Sequence, residues 1–173
     1  MKIPILVSSK AIQERVGSLA GQISRDYRVK RPVIISILNG SFVFTADLIR
    51  RLRIPVECGF IRLSSYGRST ESSGKIKVIM DVDVSLKNRD VIILDDIIDT
   101  GLTISYLIKR LKKQKARSIK ICALLDKPER RVANVKPDYC GFIIPNKFVA
   151  GYGIDYQEKF RQLKYIGYLS SQR

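Results

Sequence analysis

Val91–Thr103 reads V-I-I-L-D-D-I-I-D-T-G-L-T, and it decides how the remainder of the chain is read. Val91–Leu94 are four apolar residues without polar alternation, the pattern of a strand buried on both faces of a parallel sheet. Asp95 and Asp96 follow where such a strand would end. Asp99, Thr100 and Gly101 come next, and a helical pattern begins at Leu102 or Thr103. Strand, short loop and helix put that loop at the carboxyl edge of an α/β sheet, where open sheets bind ligands. Amides running into a helix N-terminus form a cradle for phosphate. Capping and the helix dipole account for one aspartate near a helix start. Three in five positions, with Ile97 and Ile98 between them, exceed what capping requires. The stretch lacks the G-x-x-x-x-G-K-[ST] pattern of the Walker loop.

Upstream, Ser8 or Ser9 can cap a first helix, in which Ile12, Val16, Leu19, Ala20, Ile23 and Tyr27 recur at helical spacing. Pro32–Leu38 is a second buried strand by pattern. It ends in Asn39-Gly40-Ser41, and a helix with Phe42, Ala46 and Ile49 on one face follows. This is a second strand, tight loop and helix, and Gly40 leaves room for backbone amides to approach a phosphate. An ordinary turn explains the same residues. Val56–Leu63 reads as a strand, and Gly67–Lys75 (G-R-S-T-E-S-S-G-K) holds nothing that can be buried, so it is an exposed loop. Ile76–Met80 returns as a strand.

Downstream, Ile104, Leu107, Ile108 and Leu111 mark the core face of a helix whose far end is basic, from Lys109 to Arg117. Cations there offset the helix dipole. Ile119–Leu125 is another buried strand, ending in Asp126-Lys127-Pro128-Glu129-Arg130-Arg131, so Lys127 stands at a strand terminus on the same sheet edge. Tyr139–Ile144 is a late strand. Pro145-Asn146 turns, and Phe148-Val149-Ala150-Gly151-Tyr152-Gly153-Ile154-Asp155-Tyr156 follows, with Arg161 beyond.

Composition narrows the chemistry. At 173 residues the chain reads as one domain, 1–173, long enough to bury a substantial core. The expected fold class is α/β, a central mostly parallel sheet flanked by helices. The apolar run Ile3–Val7 is too short for a secretory leader, and no run is long enough to cross a bilayer. Cys58, Cys122 and Cys140 are widely spaced with no C-x-x-C, which predicts reduced thiols in a cytoplasmic protein. There is no histidine. Ser-His-Asp and Cys-His catalysis and H-E-x-x-H zinc sites are therefore excluded. A general base must be Asp, Glu, Lys, Tyr or Cys, and a metal is expected to be a hard, oxygen-held cation such as Mg²⁺. The net charge of +16 implies an anionic partner, a phosphorylated small molecule or nucleic acid. The aromatics do not interleave with the basic residues as in nucleic-acid modules.

The D-D-I-I-D-T-G-L-T stretch resembles the phosphoribosyl-pyrophosphate (PRPP) signature of the type I phosphoribosyltransferases, and its I-I-D-T-G version is similar to the hypoxanthine-guanine branch. The resemblance runs from about Pro32 to Leu169, and it implies a core over about 30–145 with a small hood from the N-terminal segment and about 146–173. Asn39-Gly40 resembles the pyrophosphate loop, often Leu-Lys-Gly. Asn39 replaces the lysine, so binding by Leu38, Asn39 and Gly40 would rest on the backbone. A non-proline cis peptide is expected between Leu38 and Asn39. Ser65-Tyr66 matches the dipeptide of a lid that closes over the site. Lys127, in a similar D-K-P-x-R-R context, would donate to the purine 6-oxo group. The Phe148–Tyr156 run resembles the family's F-V-V-G-Y-x-x-D-Y. By that likeness Phe148 stacks on the purine, Val149 reads its edge, Asp155 belongs to the purine and metal site, and Arg161 contacts pyrophosphate. Asp95 stands where many members have Glu, which shortens its reach. Oligomers are usual in the family, so a homodimer or homotetramer is implied.

The implied reaction is displacement of pyrophosphate from PRPP by a nitrogen of hypoxanthine or guanine, giving IMP or GMP. It needs no nucleophilic side chain; positioning, neutralisation of the leaving group and control of one purine proton suffice. Asp95 and Asp96 would take two ribose hydroxyls and, with Asp155, Mg²⁺. Ile98, Asp99, Thr100, Gly101, Leu102 and Thr103 would bind the 5′-phosphate, and Asp99 is the candidate base. The basic composition leaves one alternative open, an RNA-binding regulator built on the same fold.

Overall fold

Hydrophobic alternation within two central strands sorts the chain into three layers. The structure, a computed structural model, describes residues 3–65 and 76–169. Strand β1 (Ile5–Val7) leads into helix α1 (Ser9–Asp26), then β2 (Val33–Leu38), α2 (Phe42–Ile49), β3 (Glu57–Ser65), β4 (Ile76–Met80) and β5 (Asp90–Ile98). Helix α3 (Leu102–Lys113), β6 (Ser118–Asp126), a 3-10 turn (Pro128–Arg130), β7 (Tyr139–Ile143), β8 (Phe148–Ala150) and β9 (Ile166–Leu169) complete it.

Six strands form one sheet in the order β4-β3-β2-β5-β6-β7. All neighbours in it are parallel except β3 and β4. The two central strands need apolar residues on both faces, which is why Val33–Ile35 and Val91–Leu94 are fully covered. Ile34, Ile92 and Leu94 face α1 and α2, meeting Ile12, Val16, Leu19, Phe44 and Leu48. Val33, Ile35, Val91 and Ile93 face the other way, meeting Ile104, Leu107 and Leu111 of α3. Each such side chain contributes about 2 kcal/mol relative to exposure. Helix α1 starts where Ser8 Oγ accepts a hydrogen bond from Ala11 N at 3.2 Å. Such a cap is worth about 1 kcal/mol.

Three details depart from the sequence reading. First, β5 does not stop at Leu94. It continues through both acids because the ladder to β6 continues, with Asp95 opposite Ala123 and Ile98 opposite Asp126. Second, the face of α2 that carries Phe42 and Ala46 is the outer one. Its buried residues are Phe44, Thr45, Asp47 and Leu48. Asp47 is tolerated there because Gln13 and Tyr152 donate to it at 3.0 and 2.6 Å. Third, a second, three-stranded antiparallel sheet, β1-β9-β8, joins the N-terminal segment to the end of the described chain. Tyr66 and the loop Gly67–Lys75 lie outside the described residues.

Candidate active site

The carboxyl ends of β2, β5 and β6 converge. Beyond β5, Gly101 adopts φ +81°, a left-handed conformation that suits glycine, and α3 begins at the next residue. The Leu102 amide donates to Thr100 Oγ1 at 3.4 Å, which closes the turn. A cleft of about 260 Å³ opens over it, lined by Asp95, Ile98, Asp99, Thr100, Gly101 and Thr103. Ile37 and Ile104 form part of its apolar floor. The open N-terminal turn of α3 points its amides toward this space, the arrangement that takes a phosphate.

Asp95 and Asp96 alternate along the strand. Asp95 lines the cleft and is 6% exposed. Asp96 lies over the backbone of Gly40, where a Cβ would come within 1.8 Å of its Oδ2. Burial pushes both carboxyls above their usual range, and the charge of Asp96 pushes Asp95 further. Arg161 opposes this at Asp96, drawing that carboxyl back toward its usual range. Asp155 does not join it: among the described residues no three metal-ligating side chains gather.

The Asn39–Ser41 loop is fixed from below. Ser36 Oγ shares hydrogen bonds with Ser41 Oγ (2.7 Å) and Thr45 Oγ1 (2.6 Å), and Ser41 Oγ donates to Ile37 O. The Leu38–Asn39 peptide is cis. Asn39 is exposed and Gly40 half-buried. Gly40 is enclosed on a second side, because a Cβ on Gly153 would approach Gly40 O to 2.4 Å. Arg161 holds that contact in place. Its Nη1 donates to Gly153 O at 2.9 Å, and its Nη2 meets Asp155 Oδ1 at 2.7 Å. Arg161 faces a neighbouring groove beside Phe42 and Val43, and it does not line the phosphate cleft.

A second cleft, about 150 Å³, adjoins the first. Its walls include Asp99, Lys127, Arg130, Phe148 and Val149. Lys127 is 6% exposed, and burial lowers its pKa while Asp99 pulls it back. Phe148 is 66% exposed, an apolar ring offered to the opening. Asp99 and Ile97 line both clefts. Arg130 Nε stands 3.1 Å from Asp99 Oδ1, yet the approach is not aligned as a hydrogen bond, so that oxygen is buried without a donor among the described residues.

The structure thus gathers Asp95, Asp99, Thr100, Gly101 and Thr103 in one cleft and Asp99, Lys127, Phe148 and Val149 in the next. Leu38, Gly40, Asp96 and Leu102 are not among the residues that line either cleft; Gly40 packs against Asp96, and Asp155 and Arg161 stand as an ion pair behind Gly40. Ser65 ends β3; Tyr66 lies outside the described residues. Sequence reasoning missed Arg130 as a cleft residue. It was visible in D-K-P-E-R-R, but an arginine in a charged loop reads as exposed.

A family profile described as "Phosphoribosyl transferase domain" matches residues 5–157. The chain is 47% identical over 165 residues to a hypoxanthine-guanine phosphoribosyltransferase of Bacillus subtilis, covering 95% of this chain and 92% of the relative. A protein of the same name from Lactococcus lactis is 46% identical, with 95% and 90% covered. A crystal structure of a hypoxanthine-guanine phosphoribosyltransferase from Bacillus anthracis superposes with a TM-score of 0.93 at 45% identity, over 98% of this chain and 100% of that one.

Proposed function

The chain belongs to the phosphoribosyltransferase family, in its hypoxanthine-guanine branch, and from that premise we propose how it transfers a 5-phosphoribosyl group from PRPP to hypoxanthine or guanine. The observation that carries the assignment is the shared wall: one carboxylate, Asp99, faces both a phosphate-sized cleft and a cleft bearing a lysine and an aromatic ring.

PRPP takes the first cleft. Amides and hydroxyls from Ile98 to Thr103 bind its 5′-phosphate, and Asp95 and Asp96 accept from its ribose hydroxyls. The pyrophosphate lies toward Leu38, Asn39 and Gly40, with Arg161 adding charge from behind. A 6-oxopurine takes the second cleft. Phe148 stacks on its face, the Val149 backbone reads its edge, and Lys127 donates to the carbonyl oxygen. Adenine offers an amine there, a donor facing a donor. Asp99 lies between the two substrates and accepts the proton that the imidazole ring must exchange. The three-stranded sheet serves as the hood over the purine.

Mg²⁺ fits the donor set. Asp95, buried at the cleft, and the partly covered Asp96 beside it are hard oxygen donors that would hold such a cation together with substrate oxygens and water. When bound, the ion neutralises the leaving pyrophosphate. Asp155, already paired with Arg161, acts on the site through that arginine. The enzyme works in the cytoplasm, as a homodimer or homotetramer.

The test is a panel of hypoxanthine, guanine, xanthine and adenine, each incubated with PRPP and Mg²⁺ and scored for nucleotide. IMP and GMP without AMP are expected; efficient use of adenine, or no product, defeats the reading. The net charge of +16 favours one second reading, an RNA-binding regulator on this fold. Steeply salt-dependent RNA binding without nucleotide formation would establish that instead.

A further inference from the structure

The segment Lys127–Val135 folds back over the phosphate loop. Lys127 N donates to Ile98 O at 2.9 Å, and Val132 N and Ala133 N both donate to Thr100 O, at 2.9 and 3.0 Å. From this segment Arg131 reaches inward. Its Nη2 meets Asp126 Oδ1 and approaches Ile98 O at 3.5 Å, and its Nη1 donates to Val135 O at 2.8 Å. Its Cδ lies 3.0 Å from where a Cβ would stand on Gly101. Asp126 ends β6 and pairs in register with Ile98, which ends β5. Both charged side chains are nearly covered, at 14% and 11% exposure.

A buried ion pair is a poor source of stability, because desolvation offsets its Coulomb gain. This one is poorer than most, since Arg131 Nε is buried with no partner among the described residues. Two apolar side chains would fill the place at lower cost. What they would not supply is a planar fork, oriented by a carboxylate, that touches the carbonyls of two different segments at once. We propose that Arg131, oriented by Asp126, is a positioning residue that sets the phosphate loop Ile98–Gly101 against the strand end carrying Lys127. The inference rests on the assignment of that loop to the 5′-phosphate of PRPP.

Arg131→Met keeps the length of the side chain and removes the fork. Its KM for PRPP is expected to rise about tenfold or more, while its KM for hypoxanthine stays within about twofold. A merely structural role would lower Tm and the active fraction and leave both constants alone. Arg131→Lys keeps a charge toward Asp126 but no fork, so it recovers Tm while KM for PRPP stays raised. Should Arg131→Met fail to fold, Asp126→Asn decides: it keeps an oxygen for the guanidinium, loses the charge, and is expected to raise KM for PRPP about threefold. Folded variants whose KM for PRPP stays within about twofold of the parent, or whose two KM values rise together, overturn the inference. The unmutated chain, assayed alongside, separates the two claims. If it forms no nucleotide from PRPP and hypoxanthine, the functional assignment falls. If it is active and the variants match it, only the role of Arg131 falls.

Discussion

Replacing Gly40 by alanine tests the pyrophosphate loop with a single methyl group. That methyl would stand 1.8 Å from Asp96 Oδ2 and 2.6 Å from its Cγ, where ordinary contact begins at 3.4 Å. The carboxylate must therefore retreat by about 1.6 Å. The backbone of Asp96 is restrained on the β6 side, where its neighbours pair in register, Asp95 with Ala123 and Ile97 with Leu125. The side chain must rotate away from Gly40 instead, and with it from the place proposed for ribose and metal. A misplacement of about 1 Å costs on the order of a hundredfold in rate, about 2.7 kcal/mol of transition-state stabilisation. Gly40→Ala should thus lower kcat/KM for PRPP about a hundredfold, measured by initial rates at saturating hypoxanthine. Gly17→Ala in α1 is the control, since nothing lies within 4 Å of its Cβ. It should keep full activity and gain about 0.5–1 kcal/mol from its better helix propensity. A Gly40→Ala enzyme within about threefold of the parent would show that Asp96 is not held where the reaction needs it.

Asp99→Asn keeps the shape and removes the base; kcat at saturating substrates should fall between about ten- and ten-thousandfold, with Tm little changed. Chelation of divalent cations should abolish turnover and added Mg²⁺ restore it, read as nucleotide formed with and without EDTA. Lys127→Met should raise KM for hypoxanthine roughly a hundredfold, the worth of a charged hydrogen bond, and also raise Tm by relieving a buried ammonium. Asp90 is 3% exposed and is held at a pKa of about 2, against its ordinary 3.8, first by hydrogen bonds from Arg117 and then by Ser118. Its depressed folded pKa means that its stability contribution of about 2 kcal/mol is full above pH 3.8 and is lost as pH falls through 2. Asp90→Asn should lose that amount at neutral pH and flatten this part of the acid-denaturation curve, measured by urea melts across pH.

Local chemistry made most of the large sheet legible. Val33–Leu38 and Val91–Leu94 are apolar on both faces because both faces are packed, and that shows in any window of sequence. The loop between β5 and α3 was legible because acids, threonines and a glycine cluster where a strand meets a helix. What escaped depends on partners distant in the chain. Strands β1 and β9 are three and four residues long and pair Ile5 with Gly167, a contact no local pattern announces. The extension of β5 through Asp95 and Asp96 is imposed by β6, since acidic residues have low strand preference on their own. The outward face of α2 misleads because Phe42 is apolar and exposed while Asp47 is polar and buried, held by Gln13 and Tyr152 from elsewhere. Arg130 and Arg131 are neighbours of one type, and only the fold turns one toward the second cleft and the other toward Asp126.

Ile97 and Asp99 are a partition common to both clefts, so if these take the sugar phosphate and the nucleobase as proposed, the two selectivities are tied together. Trimming Ile97 to admit a bulkier heterocycle would slacken the grip on ribose in the same stroke. Room for new bases has to be found on the opposite flank, around the solvent-facing ring of Phe148, where a change leaves the phosphate side untouched.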